Sequence, residues 1–169
     1  MNKPLHSTSV AHLPAMLVGP RETEISRAFT MLLPVLTAYI RAERELEDVG
    51  FSLDPAYSAW HHDSDAAQDR LSDLVRALRS APASSPLDAP LRRVALVIHK
   101  MRCDPEKARV LHETMDAKFE ARFQVSGSSP TAKHRQMLLA FCRPILAQFA
   151  ALPLFDAGPG DDADMVALT

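Results

Sequence analysis

Residues 21–48 read RETEISRAFTMLLPVLTAYIRAERELED, and the apolar residues of this stretch recur at steps of three and four. The recurring positions are Ile25, Phe29, Leu32, Leu36, Tyr39, Ile40 and Leu46. This spacing puts apolar side chains on one face of an α-helix, which has to pack against a core. Pro20 and Gly50 flank the stretch, as such residues commonly flank helices. We therefore expect a first helix here, kinked or broken near Thr30 because Pro34 removes one backbone hydrogen bond.

Proline and glycine divide the remaining chain into four further helices with the same apolar spacing. The predicted segments are about 54–80, about 89–102, about 104–126 and about 129–153. The last of these again contains an internal proline, Pro144. No stretch alternates apolar and polar residues for long enough to predict a strand. The fold class predicted from the sequence is therefore all-α, a single-domain bundle of about five helices, two of them proline-kinked.

The distribution of apolar residues predicts one domain with two extensions. A chain of 169 residues is of ordinary size for one hydrophobic core. We expect residues 20–153 to form the helical bundle domain, residues 1–19 an N-terminal arm, and residues 154–169 an acidic, flexible tail. The tail carries four aspartates and no basic residue, and such segments bury too little apolar surface to pack firmly.

Composition argues against several classes of protein. The formal net charge of -2 gives no overall attraction to nucleic acid, so no nucleic-acid partner is expected. The two cysteines, Cys103 and Cys142, have no zinc-finger or disulfide-framework spacing, and no cofactor is predicted. The first twenty residues lack a signal-peptide core, and no apolar run reaches the roughly 18 residues of a membrane span. A cytoplasmic protein without a membrane span is the expectation.

The densest group of possible metal ligands lies in the second predicted helix. His61, His62, Asp65 and Asp69 are spaced by three or four residues, so imidazole and carboxylate groups can share one face of the helix. A closed metal site needs further ligands from another helix. The alternative interpretation is an exposed, solvated helix surface.

Two apolar groups further along the chain are candidates for binding a partner helix. They are Met115, Phe119 and Phe123 in the fourth predicted helix, and Met137 and Phe141 in the fifth. Together these side chains could form a groove for an amphipathic helix or for a second copy of the chain. The alternative is that they belong to the core, and we expect Met137 and Phe141 on the inner face of their helix with Leu138.

Charge is unevenly distributed along this nearly neutral chain. Residues 43–73 hold nine acidic side chains and two basic ones, whereas residues 92–122 hold eight basic and five acidic side chains. Exposed helix faces with mutual ion pairs explain such a pattern, and an acidic partner surface is the functional alternative. Two smaller pairs, His99 with Cys103 and His112 with Glu113, place an imidazole beside a thiol or a carboxylate.

The sequence predicts that the chain is a non-enzymatic helical protein-interaction module. Such a module would work as an adaptor, regulator or chaperone-like subunit that binds a partner, or itself, through an apolar helix face. No catalytic residue is assigned, because polar groups do not converge in the linear sequence. The alternative is a helical enzyme that binds a metal or small molecule through the His61 to Asp69 group.

Overall fold

The computed structural model describes residues 19–48, 57–82 and 84–156, and this part of the chain contains six α-helices. Their bounds are α1 Glu24–Asp48, α2 Tyr57–Ser80, α3 Ala89–Cys103, α4 Ala108–Asp116, α5 Phe119–Phe123 and α6 Pro130–Ala150. Three short 3₁₀ turns cover Pro86–Asp88, Pro105–Lys107 and Pro153–Phe155. The described residues form no strand, which confirms the predicted all-α, single-domain bundle. None of these helices has the length and apolar character needed to cross a bilayer.

Side-chain caps explain where α1 and α6 begin. The backbone N–H of Ser26 donates to Thr23 Oγ1 at 3.1 Å, and the N–H of Thr23 donates to Ser26 Oγ at 2.9 Å. At α6, the N–H of Ala132 donates to Ser129 Oγ, with Pro130 as the first helical residue. These bonds satisfy N–H groups that have no partner within the helix.

The internal prolines do not interrupt either long helix. α1 continues through Pro34 and α6 continues through Pro144. Each proline leaves the carbonyl four residues earlier without its usual donor, and those residues, Thr30 and Ala140, are exposed. Because water can reach these positions, the helices accommodate the lost bonds. Of the kink or break expected near Thr30, the break is absent.

The direction of the helices follows from contacts between their ends. α1 and α6 run in parallel, since the N–H of Arg21 donates to Thr131 Oγ1 at one end and the rings of Tyr39 and Phe149 lie 6.0 Å apart at the other. α2 runs antiparallel to α3, since Arg92 donates to the Arg79 carbonyl oxygen near the start of α3 and Arg102 donates to Ser72 Oγ near its end. The core between the helices includes Phe29, Leu32, Leu36, Leu71, Leu78, Leu91, Ile98 and Phe149, all fully buried.

The inner face of α6 differs from the one that we expected. Met137 and Phe141 are 46% and 59% exposed, whereas the buried face is formed by Leu138, Leu139, Cys142, Leu146 and Phe149. Each exposed residue precedes a buried one by a single position, which turns it by about 100° around the helix axis. The expectation that Met137 and Phe141 point inward was therefore wrong.

The fourth predicted helix is divided into α4 and α5. Lys118 N–H donates to Met115 O at 3.1 Å, a tight closing turn at the end of α4. Arg143 of α6 holds this end, with Nε 2.7 Å from Asp116 Oδ1 and Nη2 3.4 Å from the Asp116 carbonyl oxygen. This contact with α6 lies at the point where the chain leaves α4 and turns into α5.

The first residues of the predicted tail pack on the bundle. Phe155 is buried, and its ring meets that of Phe149 edge-on at 5.1 Å. Asp156 forms an ion pair with Arg109 of α4. The apolar side chains after α6 therefore extend the folded domain beyond the predicted boundary at residue 153. The rest of the predicted tail, 157–169, and residues 1–18 of the predicted arm lie outside the described residues.

A fully buried ion pair joins the beginnings of three helices. Arg135 Nε donates to Asp88 Oδ1 at 2.9 Å, and the two side chains are 0% and 1% exposed. Arg135 Nη2 also donates to the Arg21 carbonyl oxygen at 2.9 Å and to Thr23 Oγ1 at 3.3 Å. These contacts connect α6 to the residues that precede α1 and α3. Asp88 Oδ2 has no hydrogen-bond donor among the described residues.

Candidate functional site

A cavity of about 460 Å³ lies between α3, α4 and α5, and we call it the α3–α5 groove. Its floor is apolar and is formed by Leu96, Val97, Leu111, Met115 and Phe123. Three basic side chains, Arg93, Lys100 and Arg122, also line the groove and form its rim. The groove therefore combines an apolar surface with positive charge.

α3 contributes to the groove because it carries two apolar faces. One face, with Leu91, Val94 and Ile98, is fully buried in the core. The other holds Leu96 and Val97 between Arg93 and Lys100, at the helical spacing of three, four and seven residues. Leu96 remains 41% exposed. A helix with one apolar face in the core and a second face toward solvent offers the second face for contacts with another molecule.

The positive charge at the rim is not neutralised by the described part of the chain. Arg93, Lys100 and Arg122 are exposed, and none of them forms an ion pair with a carboxylate of the described residues. No acidic residue lines the groove. A negatively charged group that approaches the rim would thus meet three cations without displacing an existing partner.

The structure separates the five side chains that we predicted to bind a partner. Met115 and Phe123 are buried and form part of the groove floor. Phe119 is also buried, with its ring 4.8 Å from that of Phe123, but it does not line the groove. Met137 and Phe141 are exposed on α6 and do not line the groove. The five residues therefore do not form one continuous exposed surface.

A second cavity, of about 600 Å³, lies between α5 and α6 and is lined in part by Phe119, Gln136 and Arg143. Two of its polar side chains already have partners. Gln136 Nε2 donates to the Val125 carbonyl oxygen at 2.8 Å, and Arg143 pairs with Asp116. The hydrogen bond from Arg143 holds the pKa of Asp116 below its usual value. Because Gln136 and Arg143 are already bound within the chain, the larger cavity is a weaker candidate for binding than the groove.

The predicted metal ligands do not come together in a site. His61 Nδ1 lies 3.1 Å from Asp65 Oδ2, but the two side chains are 52% and 60% exposed. His62 and Asp69 are exposed on the same helix. Within residues 19–48, 57–82 and 84–156, no three His, Cys, Asp or Glu side chains are close enough to hold a metal ion. A single exposed pair on one helix lacks the additional ligands that metal binding requires.

The smaller predicted pairs lie in different places. Cys103 Sγ is 3.7 Å from the His99 ring nitrogens, at a cavity between α2 and α3. His112 and Glu113 border a shallow depression of about 210 Å³ against α6. Cys142 is buried inside the core, and burial raises the pKa of its thiol to about 12. Burial therefore keeps Cys142 in the unreactive thiol form, and it packs as an apolar residue.

Sequence reasoning missed Leu96 and all three rim residues of the groove. The signal was present for α3, since Arg93, Leu96, Val97 and Lys100 share one helical face. For Arg122 there was no such signal, because its position at the rim depends on how α5 packs against α3. Comparison of the chain with protein-family models, with curated proteins and with solved structures gives no match.

Proposed function

We propose that this chain is a protein-interaction module that binds an acidic, amphipathic helix of another protein in the α3–α5 groove. The observation that carries the proposal is the apolar floor of the groove surrounded by Arg93, Lys100 and Arg122, without an acidic residue in the lining. An amphipathic helix buries its apolar side chains in such a floor while its flanking carboxylates meet the cations.

The fold favours a helix over an extended strand as the bound segment. The described residues contain no sheet, and therefore no sheet edge to which a strand could be added. The groove borders α3, where Leu96 and Val97 offer a short apolar strip between Arg93 and Lys100. An incoming helix would place one or two large apolar residues on this strip, as anchor residues do at protein interfaces.

The size and charge of the groove point to a reversible interaction. Exposed cations at a rim mainly increase the rate of association and select the partner, and they add little affinity after water has screened them. Nine residues line the groove, fewer than the ~20–30 residues that each partner contributes to a standard stable interface. A dissociation constant on the order of 1–100 μM suits an adaptor or regulatory subunit, and we propose that the chain acts as one.

We also propose that this module works in the cytoplasm. Cys103 is an exposed, free thiol and Cys142 is a buried one, so neither thiol is in a disulfide. Free thiols persist in the reducing cytoplasm, whereas oxidising compartments favour disulfides.

Lys100→Glu is expected to weaken binding of an acidic amphipathic peptide about fivefold, chiefly through slower association, because reversal of a rim charge replaces attraction with repulsion. The probe is a synthetic helical peptide with leucines on one face and glutamates on its flanks. Nuclear magnetic resonance of the labelled chain measures affinity and maps the site. Shifts are expected at residues 93–100, 111–115 and 121–123.

The matched control is Lys133→Glu, which reverses an exposed charge at the start of α6, outside the groove. This variant is expected to bind the peptide within about twofold of the unmodified chain, since the charge does not line the groove and is screened by salt. If both substitutions weaken binding equally, the interaction is nonspecific attraction between charges. Shifts centred on Met137 and Phe141 would place the peptide outside the groove. Dimerisation through the groove would make a second copy of the chain its occupant. Either result would overturn the proposal.

A further inference from the structure

A separate cavity, of about 300 Å³, lies between α2 and α3. Its polar lining consists of Ser72, Arg76 and Arg79 of α2 and His99, Arg102 and Cys103 of α3. The antiparallel packing of the two helices brings these groups together, although about twenty to thirty residues of sequence separate them. No carboxylate lines the cavity.

Arg102 is held in place by two contacts. Its Nη1 donates to Ser72 Oγ at 2.8 Å, and its guanidinium group lies over the ring of Tyr39, 6.0 Å from the centroid. The remaining N–H groups of this guanidinium have no carboxylate partner among the described residues. Arg102 is thus positioned and charged without being neutralised, which is the arrangement expected of an anion-binding arginine.

Arg79 supplies a second charge from α2. Its side chain likewise makes no ion pair within the described residues, whereas Arg76 pairs with the exposed Asp73 at 2.7 Å. Arg92 Nη2 donates to the Arg79 carbonyl oxygen, which ties α3 to α2 beside the cavity. The cavity therefore contains the guanidinium groups of Arg79 and Arg102, which have no carboxylate partner among the described residues. A third guanidinium group, that of Arg76, pairs with Asp73.

His99 lies beside the positive charges of this cavity. Its pKa is lowered by partial burial, and then by the charges of Arg79 and Arg102. The imidazole is therefore neutral near pH 7, and it can donate or accept a hydrogen bond beside the arginines.

We propose that the cavity binds the phosphate group of a small phosphorylated molecule. Guanidinium groups form paired, charge-assisted hydrogen bonds to phosphate oxygens. A phosphate monoester carries nearly two negative charges and three acceptor oxygens, which two or three arginines can satisfy together, whereas a carboxylate has two oxygens and one charge. A cavity of about 300 Å³ lies at the lower limit for small-molecule sites, so it suits a phosphate with a small attached group. This inference does not rest on the proposed partner-binding function.

The test is titration of the full chain with inorganic phosphate and with phenyl phosphate, at low ionic strength because salt screens partly exposed sites. Calorimetry gives the affinity. Proton resonance of the His99 ring gives its pKa with and without ligand. Saturable binding of both probes is expected, with a dissociation constant on the order of 1 mM or tighter. The His99 pKa should rise on saturation, because the bound anion offsets the charge of the arginines.

Tighter binding of phenyl phosphate identifies a monoester site, and tighter binding of inorganic phosphate overturns the monoester assignment.

Arg79→Gln is expected to weaken phosphate binding at least tenfold, because it removes one of the two guanidinium groups that lack a carboxylate partner. The matched control is Arg70→Gln, an exposed arginine on α2 that lies nine residues, or about two and a half turns, from Arg79 and so on the opposite face. The control should bind as the unmodified chain does. Equal weakening by both substitutions, acetate binding as tightly as phosphate, or an unchanged His99 pKa at saturation would each overturn the proposal. The His99 measurement needs no variant, so it holds even if a substitution disturbs folding.

Discussion

Replacing Arg135 with alanine is expected to lower the free energy of unfolding by about 3–5 kcal/mol, the range seen when one partner of a buried ion pair is removed. Asp88, whose side chain is 1% exposed, would be left as an uncompensated charge inside the protein. The Arg21 carbonyl oxygen would also lose its bond from Arg135 Nη2. Urea denaturation followed by circular dichroism measures the loss.

A second Arg–Asp pair provides the control for this prediction. Arg143 and Asp116 are 2.7 Å apart at their closest, compared with 2.9 Å for Arg135 and Asp88, but their side chains are 42% and 40% exposed. Because water solvates both charges, Arg143→Ala should cost much less stability than Arg135→Ala. If the two alanine variants lose the same stability, burial does not determine the contribution of the Arg135–Asp88 pair. The buried position assigned to this pair would then be wrong.

Replacing Phe149 with alanine is expected to destabilise the domain by about 3–5 kcal/mol, because it removes a buried aromatic side chain and leaves a cavity. The Phe149 ring is 0% exposed and contacts the rings of Tyr39 and Phe155. Thermal and urea denaturation of the variant measure the effect.

Phe141→Ala makes the same chemical change on the same helix at a position that is 59% exposed. This substitution should change stability by no more than about 0.5 kcal/mol, as is usual for surface positions. A large loss at Phe141 together with a small loss at Phe149 would show that the buried and exposed faces of α6 are reversed.

The helices could be predicted because local signals determine them. The apolar spacing of residues 21–48 and the Ser129–Pro130 start signal identified α1 and α6, which the structure places at Glu24–Asp48 and Pro130–Ala150. The break between α4 and α5 has no proline or glycine to mark it. It coincides with the contact between Arg143 and Asp116, which are 27 residues apart, so only tertiary packing reveals it.

Which apolar residues are buried was harder to predict than where the helices lie. α6 carries apolar residues around more of its circumference than its neighbours cover, so periodicity alone did not separate Phe141 from Phe149. The buried pair of Arg135 and Asp88 lies beyond sequence reasoning for a related reason. An arginine and an aspartate 47 residues apart are each expected on the surface, and only the assembled bundle brings them together.

The candidate groove was predicted in part. Met115 and Phe123 were identified from helical spacing, but Leu96, which lies on the side of α3 that faces solvent, was not. The rim combines Arg93 and Lys100 of α3 with Arg122 of α5. Residues on separate helices converge only after the fold is known, so the charge pattern of residues 92–122 indicated a basic region without locating the groove.

The most direct test of the proposed interaction compares Leu96→Asp with Val110→Asp in binding to the acidic amphipathic peptide. Both positions are exposed, at 41% and 63%, so both variants should fold with melting temperatures close to that of the unmodified chain. Leu96 forms the groove floor and Val110 does not line the groove. Leu96→Asp is expected to weaken binding at least tenfold, because the carboxylate disrupts the apolar contact and repels the acidic peptide, whereas Val110→Asp should remain within about twofold. Unchanged binding by the Leu96→Asp variant would contradict the assignment of the groove as the interaction site.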